Sequence, residues 1–319
     1  PTMAEPAWSN RSSILEIVLL GFAKVPELEV LLFPLFLVAY VVTMAGNILI
    51  MALVVADQHL HTPMYFFLGN LSCLETCYSS AILPRLLASL LTGDRTISVP
   101  GCIVQFYFFA SLAATECCLL SAMSYDRYLA VCRPLHYAAL MNGRICLQLA
   151  AGSWLSGCLA TVIISSLMSQ LAFCSHNEID HFFCDFTPLI KLACSDTTLI
   201  LVLDFLLASL CTLFPFLLTL LSYVYIILTI LRIPSTSGRK KAFSICSSHL
   251  IVVTMFYGTI IIVYMLPKSN TLRDLNKVFS VFYSVLTPLI NPLVYSLRNK
   301  EVKEALNRVV HKCVAFSRT

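Results

Sequence analysis

Residues 31–56 read LLFPLFLVAYVVTMAGNILIMALVVA, from Leu31 to Ala56 without one Asp, Glu, Lys or Arg. A helix rises about 1.5 Å per residue, so about 20 such residues cross a hydrocarbon core about 30 Å thick. Six further runs share the property. Thr62–Pro84 carries only Glu75, Val99–Tyr125 only Glu116 and Thr197–Leu231 only Asp204, while 145–171, 242–266 and 278–297 carry no formal charge. A β-barrel would need short segments of strict alternation, which these continuous runs lack. The reading is an all-α membrane protein: a seven-transmembrane helix bundle with a short amphipathic cytoplasmic helix after the seventh span. Its spans fall at 28–56, 62–89, 99–126, 143–171, 197–231, 240–266 and 272–297, in one domain covering 1–319. Composition agrees. Of 319 residues 58% are hydrophobic and 12% charged, against about 45–50% and about 25% in soluble domains. Ten Gly, 14 Pro and 20 Phe exclude collagenous or disordered chains. A net charge of +4 is too small for a nucleic-acid binder.

Lys and Arg are retained on the cytoplasmic side of membrane proteins. One set of connections, holding Arg127, Arg133, Arg144, Arg232, Arg239, Lys240, Lys241 and the basic residues from Arg298 onward, carries most of the 21 basic groups. The amino terminus, 1–27, is therefore expected outside and the tail, 298–319, inside. Asn10-Arg11-Ser12 agrees, as a glycan acceptor at Asn10. No basic, apolar-cored cleavable signal precedes Leu31, so the first span is expected to act as the targeting signal. Of 14 cysteines, Cys102, Cys174, Cys184 and Cys194 fall in or beside outer loops, where the compartment is oxidising. Four cysteines allow three pairings, among which spacing does not choose. Cys313, after the amphipathic tail segment, reads as a palmitoylation site or a free thiol.

Ionisable groups inside spans are costly and mark function or structure. On the third span Phe109, Ala113, Glu116, Leu120 and Arg127 fall in one helical stripe, so one face joins the outer and inner ends. Glu116 with Glu75 reads as a monovalent-cation or proton site, since two close carboxylates cannot both stay ionised unaided. The alternative is that each bonds to its own helix. Asp204 shares a face with Leu207, Ala208 and Cys211, where it would favour a cationic or hydrogen-bond-donating ligand, or else meet solvent at the outer end. His249 reads as an interhelical hydrogen-bonding group. No phosphate-cradling loop, HExxH or GxSxG is present, and Cys174 to Cys194 lacks zinc-ligand spacing, so no enzyme and no cofactor are expected. The paired broken spans of inverted-repeat transporters are absent too.

At this point the sequence becomes specific. Gly46-Asn47, MSYDRYLAVCRPLHY (123–137), Ser222-Tyr223 and NPLVY (291–295) stand in the order seen in rhodopsin-like G-protein-coupled receptors. Within that superfamily the chain resembles an olfactory receptor of the tetrapod type, through HTPMYFFLGNLSCLE (61–75), KAFSICSSHL (241–250), FYG (256–258) and PLINPLVYSLRNKEVKEAL (288–306). The likeness covers nearly the whole chain. It implies disulfides Cys102–Cys184 and Cys174–Cys194. It also implies an odorant cavity among spans three, five, six and seven, lined by Phe106, Phe109, Ala110, Ala113, Ala114, Asp204, Leu207, Ala208, Cys211, Tyr257, Ile260, Ile261 and Tyr264. Such a wall, mostly apolar, suits a small volatile held by buried hydrocarbon, at about 25 cal/mol per Å².

The mechanism expected is a population shift on odorant binding, triggered near Tyr257, and for the inner end the resemblance carries a further implication. Release of the Asp126–Arg127 pair, with Tyr128, Tyr223, His249 and Tyr295 repacking, would open an inner cleft for a heterotrimeric G protein of the stimulatory, cyclic-AMP-raising class. Arg239, Lys240 and Lys241 would border that cleft. Expected partners are thus a small volatile odorant, that G protein and membrane lipid, and the expected place is the plasma membrane, by family the cilia of olfactory neurons. Departures from the family pattern are Glu75 for its usual Asp, Ile245 for Thr and Ile290 for Leu. The sixth span also lacks an interior Pro, which weakens any proline-kink mechanism. Two other classes stay open: a non-signalling scaffold or adhesion protein, which would show no ligand-dependent nucleotide exchange, and a small-molecule transporter, which would show flux.

Overall fold

The computed structural model describes residues 14–22, 26–174, 176–265, 273–298 and 300–316. Asn10 lies outside these residues, as do the side chains of Ile245, Tyr264 and Cys313. Helices run over Pro26–Ala56, Pro63–Thr92, Val99–Cys132, Gly143–Met168, Thr198–Arg232, Thr236–Met265 and from Arg273 to Arg298, followed by a tail helix Lys300–Phe316. Among the described residues six helices are long and apolar enough to cross a membrane. The second helix, 30 residues long, is the more polar exception. Ser72, Glu75 and Ser79 are buried on it, and their offsets of 0, 3 and 7 place them on one inward face.

Helix ends follow local chemistry. Thr62 precedes Pro63 at the start of the second helix, and Gly93, at φ 75°, closes it, a left-handed conformation that costs glycine nothing. Ser98 caps the third helix through Gly101 N–H at 3.1 Å, and Asn142 caps the fourth through Ile145 N–H at 3.1 Å. The third helix runs on to Cys132, so Arg127 and Tyr128 sit inside a helix, with Asp126, rather than beyond the end read from the sequence. The fourth stops at Met168, three residues before the apolar run does. Spans five and seven, read as continuous, each contain a π turn, at Ser209–Leu213 and Phe282–Leu286. Pro215 and Pro288 stand just beyond them. A proline ring clashes with the carbonyl four residues back, and a widened turn relieves that clash.

The third span lies at the centre, against the second, fourth and fifth. Its approach to the fourth is closest at Gly157, where a Cβ would stand 2.3 Å from Thr115 Oγ1 and 2.5 Å from the Ser111 carbonyl. Gly46 lets the first span meet Pro292 of the seventh in the same way, with a Cβ 3.0 Å from the proline ring. Large apolar side chains such as Phe205 and Leu210 face outward, Phe205 at 71% exposure. Lipid removes the cost water would impose on them.

The outer end carries a three-stranded sheet in the order β2-β1-β3. β1 (Glu16–Leu19) lies in the middle, antiparallel to β2 (Thr96–Ser98) and parallel to β3 (Glu178–Ile179). Ile17 is fully buried beneath it. Cys102–Cys184 and Cys174–Cys194 are bonded, with Cα separations of 5.4 and 5.8 Å, inside the usual range for the bond. At the inner end Arg308 of the tail helix reaches Asp57 at 2.8 Å, and Tyr65 donates to Glu301 at 2.7 Å. Hydrogen bonds from His59, then Arg308, hold the Asp57 carboxyl well below its usual range.

Two outcomes are expected. Gly157→Ala lowers the melting temperature of the purified protein by several degrees, the equivalent of about 1–3 kcal/mol of overpacking, while Gly152→Ala, with open space around it, leaves it unchanged. His181, in the second outer loop, is pushed down to about 3 by burial and then by the Lys277 charge. The unfolded chain binds this proton below the ordinary histidine pKa near 6.5 and the folded one does not, so stability falls as pH drops from about 6.5 toward 3. Melting temperatures at pH 7 and pH 5 check this, and His181→Asn shrinks the difference.

Candidate functional site

The third span carries the side chains that link the two ends. Near its outer end Phe106 and Phe109 are buried, and Ala110, Ala113 and Ala114 are half-buried. Phe106 meets Phe186 of the second outer loop in a tilted contact, with ring centroids 6.0 Å apart. Phe109 lies 4.7 Å from Phe183, 5.4 Å from Tyr78 and 5.9 Å from Tyr283. Phe183 and Tyr283 were absent from the wall read from the sequence. Phe183 precedes the bonded Cys184, so the Cys102–Cys184 bridge that holds the loop over the third span also brings the ring down onto Phe109. Gln105 reinforces this, accepting from Cys184 N–H at 3.0 Å and donating to the Ala81 carbonyl at 3.2 Å.

On the fifth span Asp204 and Leu207 are half-buried and Cys211 is buried. Asp204 has no hydrogen-bond or ion-pair partner among the described residues, and the Asp185 carboxylate is close enough for the two charges to interact. On the sixth, Tyr257 is buried with its hydroxyl donating to the Cys117 carbonyl at 3.2 Å, and Ile260 is half-buried. Ala208 and Ile261 depart from the expected wall: both are exposed, Ile261 at 43%. The cause is the same in both helices. Residues at offsets 0, 3, 4 and 7 span about 100° of helix surface, and in each case the member at offset 4 forms the edge turned outward.

Mid-span, a group of polar atoms converges from four helices. Asn291 Nδ2 donates to Glu75 Oε1, and Asn47 Nδ2 donates to the carbonyls of Thr43 (3.1 Å) and Pro288 (3.3 Å). Glu116 is buried close enough to Glu75 for their charges to interact. The bond to Asn291 shows that Glu75 does not simply pair within its own helix. Glu75 Oε2, Glu116 Oε1, Asn47 Oδ1, Asn291 Oδ1 and Ser79 Oγ are buried without hydrogen-bond partners among the described residues. Water, a proton or a monovalent cation would complete such a group.

At the inner end Arg127 grips its neighbour, with Nε and NH2 3.0 and 2.5 Å from Asp126 Oδ2. Tyr137, quoted in the run read above but given no role there, donates to the other oxygen, Asp126 Oδ1, at 2.7 Å. Burial and then this bond hold the Tyr137 phenol well above its usual range. Tyr223 and His249 Nδ1 are 2.6 Å apart, tying span five to span six. Tyr295 is buried, and its hydroxyl has no hydrogen-bond partner among the described residues. Tyr128 lies 6.3 Å from Tyr125 and 6.0 Å from Tyr225. Arg239, Lys240 and Lys241 are exposed in the first turns of the sixth helix, Arg239 Nε donating to the Ile233 carbonyl at 2.7 Å. Among the described residues no group of three His, Cys, Asp or Glu side chains could hold a metal ion.

Comparison with known proteins agrees with this architecture. The olfactory receptor family matches residues 36–313. Olfactory receptor 6N1 of Homo sapiens is 50% identical over 299 residues, 94% of this chain and 96% of that receptor. Olfactory receptor 10A7 of Homo sapiens is 48% identical, over 94% of this chain and 95% of its own length. Olfactory receptor 5AP2 of Mus musculus is 46% identical, over 96% of each. With the family matched over most of the chain and relatives about half identical over nearly its full length, the chain belongs to the olfactory receptor family of multi-pass, odorant-sensing G-protein-coupled receptors, not to an enzyme family.

Proposed function

We propose that the protein binds a small volatile odorant among spans three, five, six and seven and activates a stimulatory Gα, raising cyclic AMP. The observation that carries this reading is the third span itself, whose one helix presents Phe109 and Ala113 in its outer half and Asp126 and Arg127 at its inner end. The ligand region runs from Phe106, Phe109, Ala110, Ala113 and Ala114 to Asp204, Leu207 and Cys211 and on to Tyr257, Ile260 and Tyr264, with Ala208 and Ile261 at its margin. Phe183 and Tyr283 join it through their contacts with Phe109. Affinity comes from burying hydrocarbon, and the half-buried Asp204 carboxylate, without a partner of its own among the described residues, favours a ligand bearing a protonated amine.

A ligand that binds one packing of spans five, six and seven more tightly shifts the population toward it. Tyr257 is the contact through which that shift is read, because its hydroxyl bridges span six to the Cys117 carbonyl of span three. In the active packing Arg127 leaves Asp126, with Tyr137 retained on the other carboxylate oxygen, and Tyr128, Tyr223, His249 and Tyr295 repack around a cleft for the Gα C-terminal helix. Arg239, Lys240 and Lys241 border the cleft and meet anionic lipid. Glu75 and Glu116, with Asn47 and Asn291 around them, hold a monovalent cation or share a proton in the resting packing. The amino terminus, with a glycan at Asn10, faces outward, and the receptor works in the plasma membrane of sensory cilia.

Cyclic AMP measured in cells co-expressing the chain and the olfactory stimulatory Gα, over amines, acids, alcohols, aldehydes and ketones, tests the reading. Activation by at least one amine is expected, with Asp204→Asn weakening that response by about 10- to 100-fold, the range for a hydrogen bond to a charged group, and sparing responses to uncharged ligands. Surface-expressed receptor that stays silent across the panel contradicts the reading. Arg127→Ala is expected to abolish the signal at unchanged surface level, checked by antibody labelling.

A further inference from the structure

The outer end of the seventh span is pinned from two sides at once. Lys277 is buried, its ammonium donating to the Gly21 carbonyl at 3.1 Å and pairing with the Asp180 carboxylate. One turn further into the span, Ser280 Oγ lies 3.2 Å from His181 Nε2. The His181 ring accepts from Phe183 N–H at Nδ1, at 3.4 Å, which leaves the proton on Nε2 and makes it the donor to Ser280. Two consecutive residues of the second outer loop therefore hold two residues on one face of span seven, while the turn after β1 supplies the carbonyl.

Below these ties the aromatic rings are continuous. Phe22 stacks on Phe182 at 5.6 Å, Phe182 on His181 at 4.7 Å, and His181 meets Phe183 edge-on at 4.4 Å. Phe183 then rests on Phe109. Displacement of Asp180 and His181 from span seven would break the contacts at the Phe22–Phe182–His181 end of this column, while the Cys102–Cys184 bridge keeps Phe183 anchored at its base.

A buried ammonium is a poor choice if packing alone were required. A buried ion pair gains little over an apolar pair of the same shape, because both ions must shed water. It does define two distinct states, since the attraction is strong while the site is dry and falls steeply once water reaches it. We propose that Lys277, Asp180 and the Gly21 carbonyl form a latch over the outer mouth of the bundle: closed, it seals the space above Phe109 and Tyr283; open, it admits a small molecule and frees the outer end of span seven. The latch rests on the reading that the ligand occupies the region below Phe183.

The experiment uses the full-length receptor in lipid nanodiscs carrying Ala113→Cys as a reporter beneath the column. The probe is the membrane-impermeant thiol reagent 2-(trimethylammonium)ethyl methanethiosulfonate, and labelling at position 113 is followed by peptide mass spectrometry. Lys277→Met is expected to speed labelling at least about tenfold. The reversed pair, Asp180→Lys with Lys277→Asp, regains the ion pair but not the donor to the Gly21 carbonyl, so it is expected to label measurably more slowly than Lys277→Met though faster than the parent, which separates a latch from mere misfolding. Equal rates in parent and Lys277→Met, or a reversed pair as fast as Lys277→Met, overturn the latch. Rates that track the pair in a receptor no volatile activates would keep the latch and remove the ligand reading, whereas volatile responses with labelling indifferent to the pair would do the opposite.

Discussion

Hydrocarbon offers no water to a polar group, so within the bilayer each donor and acceptor must find its partner inside the protein, at a cost of about several kcal/mol for each one that does not. That constraint turns Ser72, Glu75 and Ser79 of the second span inward, and makes the Asn291–Glu75 hydrogen bond a fixed point between spans two and seven. It also explains why Tyr223 and His249 meet at 2.6 Å and why Asp126 serves Arg127 and Tyr137 together. Among the described residues the atoms left without partners around Glu75 and Glu116 are the basis for the proposed proton or cation there.

Close backbone approach does what the hydrophobic effect cannot do between lipid-solvated helices. Gly157 lets the fourth span come up against the third at a separation that a side chain would prohibit, and Gly46 lets the seventh meet the first at one where a side chain would be tight. With these contacts set, the third span becomes an axis. Its outer half touches the loop held by Cys184, its middle holds Glu116, and its inner end holds Arg127. On the proposed reading, changes at one end reach the other through this single helix and its packed neighbours.

Much of this was legible in the residues, for definite reasons. The spans were legible because lipid imposes a length and a charge exclusion that few other environments do, and the stripe from Phe109 to Arg127 because helical periodicity is local. Helix details fared less well: the π turns before Pro215 and Pro288 depend on how each proline clash is relieved, and the run to Leu171 outlasts its helix. The sheet of β1, β2 and β3 joins four-, three- and two-residue strands from distant parts of the chain, too short to show a period. Phe183 and Tyr283 come to Phe109 only through tertiary contact. Ala208 and Ile261 were assigned to the wall by the family resemblance, which does not say which edge of a helical stripe a neighbouring helix covers. The disulfide partners lay open on spacing, and the family resemblance supplied the pairing found in the fold.

The central claim is that ligand binding in the outer half and opening of the inner cleft are one equilibrium. Double electron–electron resonance tests it most directly, with nitroxides attached through p-acetylphenylalanine at Arg144 and Lys240, two exposed positions at the inner ends of spans four and six. In nanodiscs, a volatile that raises cyclic AMP should move population from a shorter to a longer distance, and Tyr257→Phe should reduce the fraction moved. A single distance, unchanged at saturating volatile in receptor shown by labelling to be folded, would contradict the account.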